Sequence, residues 1–271
     1  MRSTSSAILF VATLMIGLLS IYVGLKVTSL INSSSSMMSF EGSPEPMDGD
    51  DARTSSSFKL PFPVFVASLP KSATSTIYKY FLCGGQKSGH TWFKSTDKGT
   101  NETKVIRAGS CMKQNVLDNR PIFEGCGEEN YDIWADVGIA RPNLGPLGCY
   151  FPEIDGLEEI HRYHPTATIA FGIRNSTNWA QSAKRWGSGS MVQRWRACNF
   201  TGFIDTSFEG MKKFYEWHIQ HVRDFMATHP SMTYLEFRIE DPDVGSILEA
   251  KTGVSASCWG HENKSKQRKR S

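Results

Sequence analysis

The chain of 271 residues has little net charge: 30 Lys+Arg against 27 Asp+Glu leave +3, and part of that excess sits in the end Lys264-Ser-Lys-Gln-Arg-Lys-Arg-Ser271. A nucleic-acid binder needs a broader basic face, so no nucleic-acid partner is expected. None of the cysteines forms a Cys-x-x-Cys pair. His161-Arg-Tyr-His164 and His218-Ile-Gln-His221 read as helix-surface or core histidines, so no metal is expected either. No repeat occurs at a solenoid period. Glycine is missing between Ala67 and Thr76, and with it the Gly-x-x-x-x-Gly-Lys-Ser/Thr spacing of a nucleoside-triphosphate P-loop, which disfavours an ordinary kinase or ATPase. The length allows one ordinary domain, or two small ones, plus appendages.

What the chain does have begins with an apolar run. Ala7 to Leu25 carries no charge, and at about 1.5 Å per residue it nearly matches the roughly 30 Å core of a bilayer. Apolar sequence continues through Val27-Thr-Ser-Leu-Ile31 without a small-residue cleavage site, so residues 1–31 read as a short cytosolic end and an uncleaved signal anchor. Arg2 and Lys26 flank the span and leave the positive-inside rule undecided. Residues 32–57, Ser-rich with Glu and Asp, read as a disordered stem, 58–262 as the folded domain and 263–271 as a basic disordered tail. The six cysteines, at 83, 111, 126, 149, 198 and 258, are an even number, as disulfides in a translocated body require; their pairing stays open. Acceptor sequons at Asn101, Asn199 and Asn263 agree with a lumenal glycoprotein.

The organising stretch is Phe62 to Phe81. An apolar run, Pro63-Val-Phe-Val-Ala67, passes through Pro70-Lys71-Ser72-Ala73-Thr74-Ser75 into a helical pattern over Thr74 to Cys83. A strand, a hydroxyl-rich turn and a helix N-terminus form an anion cradle, with Lys71, Ser72, Thr74, Ser75 and Thr76 as donors beside the backbone N–H groups. Further on, the buried strand pattern Pro165 to Ile173 delivers Arg174, and Asn175-Ser-Thr-Asn-Trp-Ala-Gln-Ser182 opens a helix.

These two motifs resemble the sulfotransferase superfamily, whose 5′-phosphosulfate loop reads Pro-Lys-Ser-Gly-Thr-Thr or close to it and binds 3′-phosphoadenosine 5′-phosphosulfate (PAPS). The resemblance implies that residues 71–76 cradle the 5′-phosphosulfate, and that Lys71 stabilises the bridging oxygen. It also implies that Arg174 and Ser182, eight positions apart, bind the 3′-phosphate. Ala73 stands where the family has glycine, which the loop accepts only if the backbone there is not at positive φ. It further implies a P-loop-type parallel α/β sheet flanked by helices, and a Golgi membrane enzyme of type II topology with a lumenal catalytic domain. Its acceptor would be a hydroxyl, in this context that of a glycan.

Other elements follow in the family's order. Tyr131 to Ile139 predicts a strand, Phe151 to His164 a helix, Ser207 to Thr228 a long amphipathic helix, Met232 to Ile239 a strand ending in Glu240-Asp241, and Gly245 to Thr252 a packing helix. Cys83 to Asn130 reads as loop with one short strand near Lys104–Arg107. Ser257 to Lys264 would be the counterpart of the family's C-terminal donor loop, with Lys264 a donor ligand, although the Arg-Lys-Gly signature is missing. The resemblance implies that the general base, a His or a Glu, lies in the segment just after the loop helix, where His90 is the first candidate of that type, and an imidazole titrates near neutral pH without a large shift. Glu124 and Asp136 are its rivals. Two other classes stay open: a P-loop kinase or nucleotide-binding protein, with Asp136 as the magnesium carboxylate, and a membrane-tethered binding module without turnover.

Overall fold

A computed structural model describes residues 58–96, 102–127, 129–203 and 205–260. The expected anchor and stem and Lys264 lie outside the described residues, and among those described no helix is long and apolar enough to cross a membrane. The fold is α/β, with a mostly parallel central sheet flanked by helices.

Strand β1, Val64–Val66, is buried at all three residues, as an aliphatic and aromatic run without alternation should be when both faces of a parallel sheet are covered. It sits between β5, Ile133–Ala135, and β8, Thr168–Ile173, pairing parallel with both. The parallel set continues with β2, Ser88–His90, on β5 and β9, Thr233–Arg238, on β8. Strands β3, Trp92–Thr96, and β4, Thr103–Arg107, add an antiparallel edge, giving the order β4-β3-β2-β5-β1-β8-β9. A separate two-stranded ribbon joins β6, Ile139–Ala140, to β7, Cys149–Tyr150.

Helix α1, Thr74–Cys83, follows β1, and α2, Ala108–Leu117, follows β4. Two short helices come next, α3, Pro152–Asp155, and α4, Leu157–Tyr163. Helix α5, Ser176–Arg185, leaves β8 and is followed by α6, Ser190–Cys198. The chain closes with α7, Phe208–Thr228, and α8, Val244–Thr252. One core cluster holds Phe65, Trp134, Phe171 and Val222; another holds Val64, Val66, Ile77 and Leu235. Burial of each such side chain contributes about 1.5–3 kcal/mol.

Three expectations are corrected. The segment 83–130 contains strands β2 and β3 and helix α2 besides the expected strand. Its strand residues are small or polar because β4 is largely exposed and because Gly89 lies against the Phe93 ring, where a Cβ would come within 2.2 Å. The single strand expected over 131–139 is cut to three residues, since Asp136 turns to φ 52° directly after Ala135. The helix over 151–164 is two helices, broken at Gly156, where a side chain would meet the Tyr150 hydroxyl at 2.6 Å.

The disulfides are Cys83–Cys258, Cys111–Cys126 and Cys149–Cys198, with no free cysteine among the described residues. Three such bonds match the oxidising environment of a lumenal or secreted protein.

Candidate active site at the carboxyl ends of the parallel strands

The parallel strands all point their carboxyl ends to one edge. Strand β1 runs into the Lys71 loop, β2 ends at His90, β5 at Asp136, β8 at Arg174 and β9 leads to Glu240. That edge is where open α/β sheets bind ligands, and here it carries a cleft of about 900 Å³. Lys71, Ala73, Thr74, Ser75 and Thr76 form one wall; Arg174, Ser182 and Glu240 also line the cleft, as do Asp136, Trp259 and Gly260. Two motifs more than a hundred residues apart in sequence thus converge on one cavity.

The loop's backbone geometry turns donors toward the cleft. Lys71 and Ala73 lie at φ 78° and φ 59°, and alternation into the left-handed region turns successive N–H groups to one side. Helix α1 begins with Ala73 as its N-cap, no side chain caps it, and its first turn holds no acid. The amides and dipole of this N-terminus therefore face the cleft and suit an anion there. The expectation that Ala73 avoids positive φ is overturned. A Cβ in this region costs about 1–2 kcal/mol, a strain that the surrounding loop holds in place.

Ser72 is also corrected. Its side chain is fully buried and its hydroxyl lies 3.0 Å from the Tyr215 hydroxyl, so it does not line the cleft. The same Tyr215 oxygen accepts the Arg174 backbone N–H at 3.1 Å, which makes one phenol the link between the two motifs. Trp179 clamps them again: its indole N–H donates to the Pro70 carbonyl at 3.0 Å and its ring stacks on Tyr215 at 4.5 Å.

The Arg174 guanidinium is positioned from two sides. Nη1 donates to the Lys71 carbonyl at 3.0 Å and Nη2 reaches Glu240 at 3.5 Å, while Nε has no protein partner. Burial acts to raise the Glu240 pKa, but the Asn175 N–H, the Asn178 amide and Arg174 together hold it below the ordinary carboxylate range. Lys71 is shifted down by burial, opposed by the Asp136 charge and assisted by Arg174. Asn175-Ser176-Thr177 also has the acceptor pattern, but it is unfit for a glycan, since the Asn175 side chain caps α5 by accepting from the N–H groups of Thr177 and Asn178.

His90 and Asp136, rivals in sequence, are partners in space. His90 Nε2 lies 3.1 Å from Asp136 Oδ2, and Thr91 Oγ1 ties the pair by contacting His90 Nδ1 and donating to the Asp136 carbonyl at 3.0 Å. Asp136 lines the cleft, whereas His90 stands behind it against Tyr78. Glu124 drops out: it is exposed and lines other surface grooves, not this cleft.

Comparison with protein-family models, curated proteins and solved structures finds no match. The site therefore rests on its own chemistry. That chemistry is two cationic side chains, an uncapped helix N-terminus and a carboxylate–imidazole pair around one polar cleft.

Proposed function

We propose that the cleft binds PAPS and that the protein transfers its sulfuryl group to a hydroxyl acceptor. The observation that carries this reading is the shared cavity itself: a phosphate-type cradle at Lys71–Thr76 and a second cationic end at Arg174 and Ser182. A donor carrying two separate anionic groups would use both sets of residues, whereas a single phosphate would use only one. In this reading the loop amides hold the 5′-phosphosulfate, and the Arg174 guanidinium and Ser182 meet the 3′-phosphate.

Transfer breaks the S–O bond to the 5′-phosphate and forms one to the acceptor oxygen. The acceptor proton passes to the Asp136–His90 pair, with Asp136 as the member facing the cleft, and Lys71 meets the charge left on the departing phosphate oxygen. This modifies the assignment of His90 alone as base. The P-loop-type classification of the sheet, the Golgi location and a type II anchor over residues 1–31 belong to the same proposal; the three disulfides support a lumenal body.

The test is transfer of labelled sulfuryl from PAPS to pooled glycans by the full chain in EDTA. Incorporation into glycan is expected. Phosphoryl transfer from ATP that needs magnesium would replace this reading with the kinase one, and donor binding without transfer to any acceptor with the binding-module one.

A further inference from the structure

Beside the donor cleft three arginines gather without a carboxylate. Arg107 ends β4 and caps α2, Arg141 follows β6, and Arg194 lies on α6. Helix α2 packs on β6 and on the turn Pro142–Leu147, and α6 packs on the same two segments, so the fold itself draws the three together. The Cys149–Cys198 bond fastens the end of α6 to β7, the partner of β6. Each charge is felt by a neighbour: Arg107 is lowered by burial and by Arg141 and Arg194, and Arg194 by burial and by Arg141.

Among the described residues none of the three makes an ion pair with an acid, and Arg194 Nε is buried without a partner. Held like charges of this kind cost stability unless an external anion meets them. Two of the three arginines are held against indoles. Arg107 lies 3.6 Å over Trp92, its cross-strand neighbour, and Arg194 5.0 Å over Trp186. Both indoles stay exposed, Trp92 at 49% and Trp186 at 44%, so each offers a flat amphipathic ring beside a fixed cation.

The cluster also adjoins the reacting groups. Trp186 lines the donor cleft, while Trp92 and Arg107 line a second groove of about 570 Å³. Trp92 is two residues from His90, and the Arg107–Trp92 pair borders Thr91, which donates to the Asp136 carbonyl.

We propose that Arg107, Arg141 and Arg194, with the rings of Trp92 and Trp186, form the acceptor subsite and select an anionic glycan, one bearing carboxylate or sulfate groups. This rests on the sulfotransferase reading for the word acceptor. The half-exposed indoles beside fixed cations favour a pyranose over an acidic peptide.

The test is binding of the full chain to four immobilised probes: hyaluronan (carboxylate only), dextran sulfate (sulfate only), neutral dextran and poly-glutamate. Hyaluronan or dextran sulfate is expected to bind at least tenfold tighter than dextran and tighter than poly-glutamate, with affinity falling as salt rises, and the first two probes distinguish carboxylate from sulfate. Arg141→Ala, at an exposed position, should weaken the anionic glycan at least fivefold, and the triple Arg→Ala variant should abolish the preference. Affinity for 3′-phosphoadenosine 5′-phosphate, measured on the same samples, should change less than twofold, which also reports a folded domain. Equal binding of dextran and the anionic glycans, or a preference for poly-glutamate, would overturn the subsite. Anionic-glycan binding lost with the arginines in a protein that never binds the nucleotide would uphold the glycan site and remove the transfer reading instead.

Discussion

At the scale of single residues, Tyr215 carries more of the site than its place in an aromatic stripe suggests. Its hydroxyl joins the Ser72 hydroxyl and the Arg174 amide in a buried setting, and burial pushes its pKa up. Tyr215→Phe keeps the ring stacked on Trp179 but leaves two buried polar groups unsatisfied, at about 1–3 kcal/mol. Chemical denaturation should show a loss of that size together with weaker donor binding, because the loop and Arg174 lose their common support; an unchanged midpoint would remove Tyr215 from that role. The paired base gives a second residue-scale expectation. Asp136→Asn and His90→Ala should each lower kcat by about 10²–10⁴-fold with donor affinity nearly unchanged. A His90→Ala enzyme that keeps its rate would leave Asp136 as the sole base.

At the scale of elements, the end of α1 is fastened by Cys83–Cys258 to the turn Ala256–Cys258, closing a separation of 175 residues. Tyr80 adds to the same junction, its hydroxyl donating to the Val254 carbonyl at 2.8 Å. Cys83→Ser with Cys258→Ser should lower stability by about 2–5 kcal/mol. Trp259 and Gly260 should also loosen at the cleft rim, read as faster amide exchange there; protection equal to the parent's would show that the bond holds nothing of the site. The elements that were legible in the sequence are those whose burial has a simple pattern. Strand β8 is a continuous apolar run, and α7 places Met211, Phe214, Tyr215, His218 and Val222 on one stripe, all buried as the period predicts. Strands β2 and β3 were hidden because Ser88, Gly89 and Lys94 answer to neighbours rather than to a period. The cradle and Arg174 were legible through local chemistry, whereas the His90–Asp136 pair, 46 residues apart, needed the pairing of β2 on β5 to become visible.

At the scale of the whole molecule, two fully buried titratable groups give stability opposite dependences on pH. Burial lowers the His218 pKa from 6.5 to about 4, with its Nε2 2.9 Å from the Ala67 carbonyl, and raises that of Glu153 from 4.5 to about 8. Below pH 6.5 the unfolded chain takes up the His218 proton first, so that group adds stability as pH rises from 4 to 6.5. Glu153 acts oppositely: the folded state keeps its proton from pH 4.5 to 8, and stability falls as pH rises through that window. The two slopes cancel near pH 4.5–6.5 and leave a decline of about 2 kcal/mol from pH 6.5 to 8. Glu153→Gln should flatten that decline in urea titrations, and a parent whose stability rises from pH 6.5 to 8 would contradict the burial of a protonated Glu153.

Whether one cleft holds both ends of PAPS is read by titration calorimetry on Arg174→Ala. With 3′-phosphoadenosine 5′-phosphate the variant should lose about 1.5–3 kcal/mol of affinity, the size of a charge-assisted contact. With adenosine 5′-phosphosulfate, which lacks the 3′-phosphate, the loss should be much smaller. Equal losses for the two ligands, or no binding of either by the parent chain, would contradict the account.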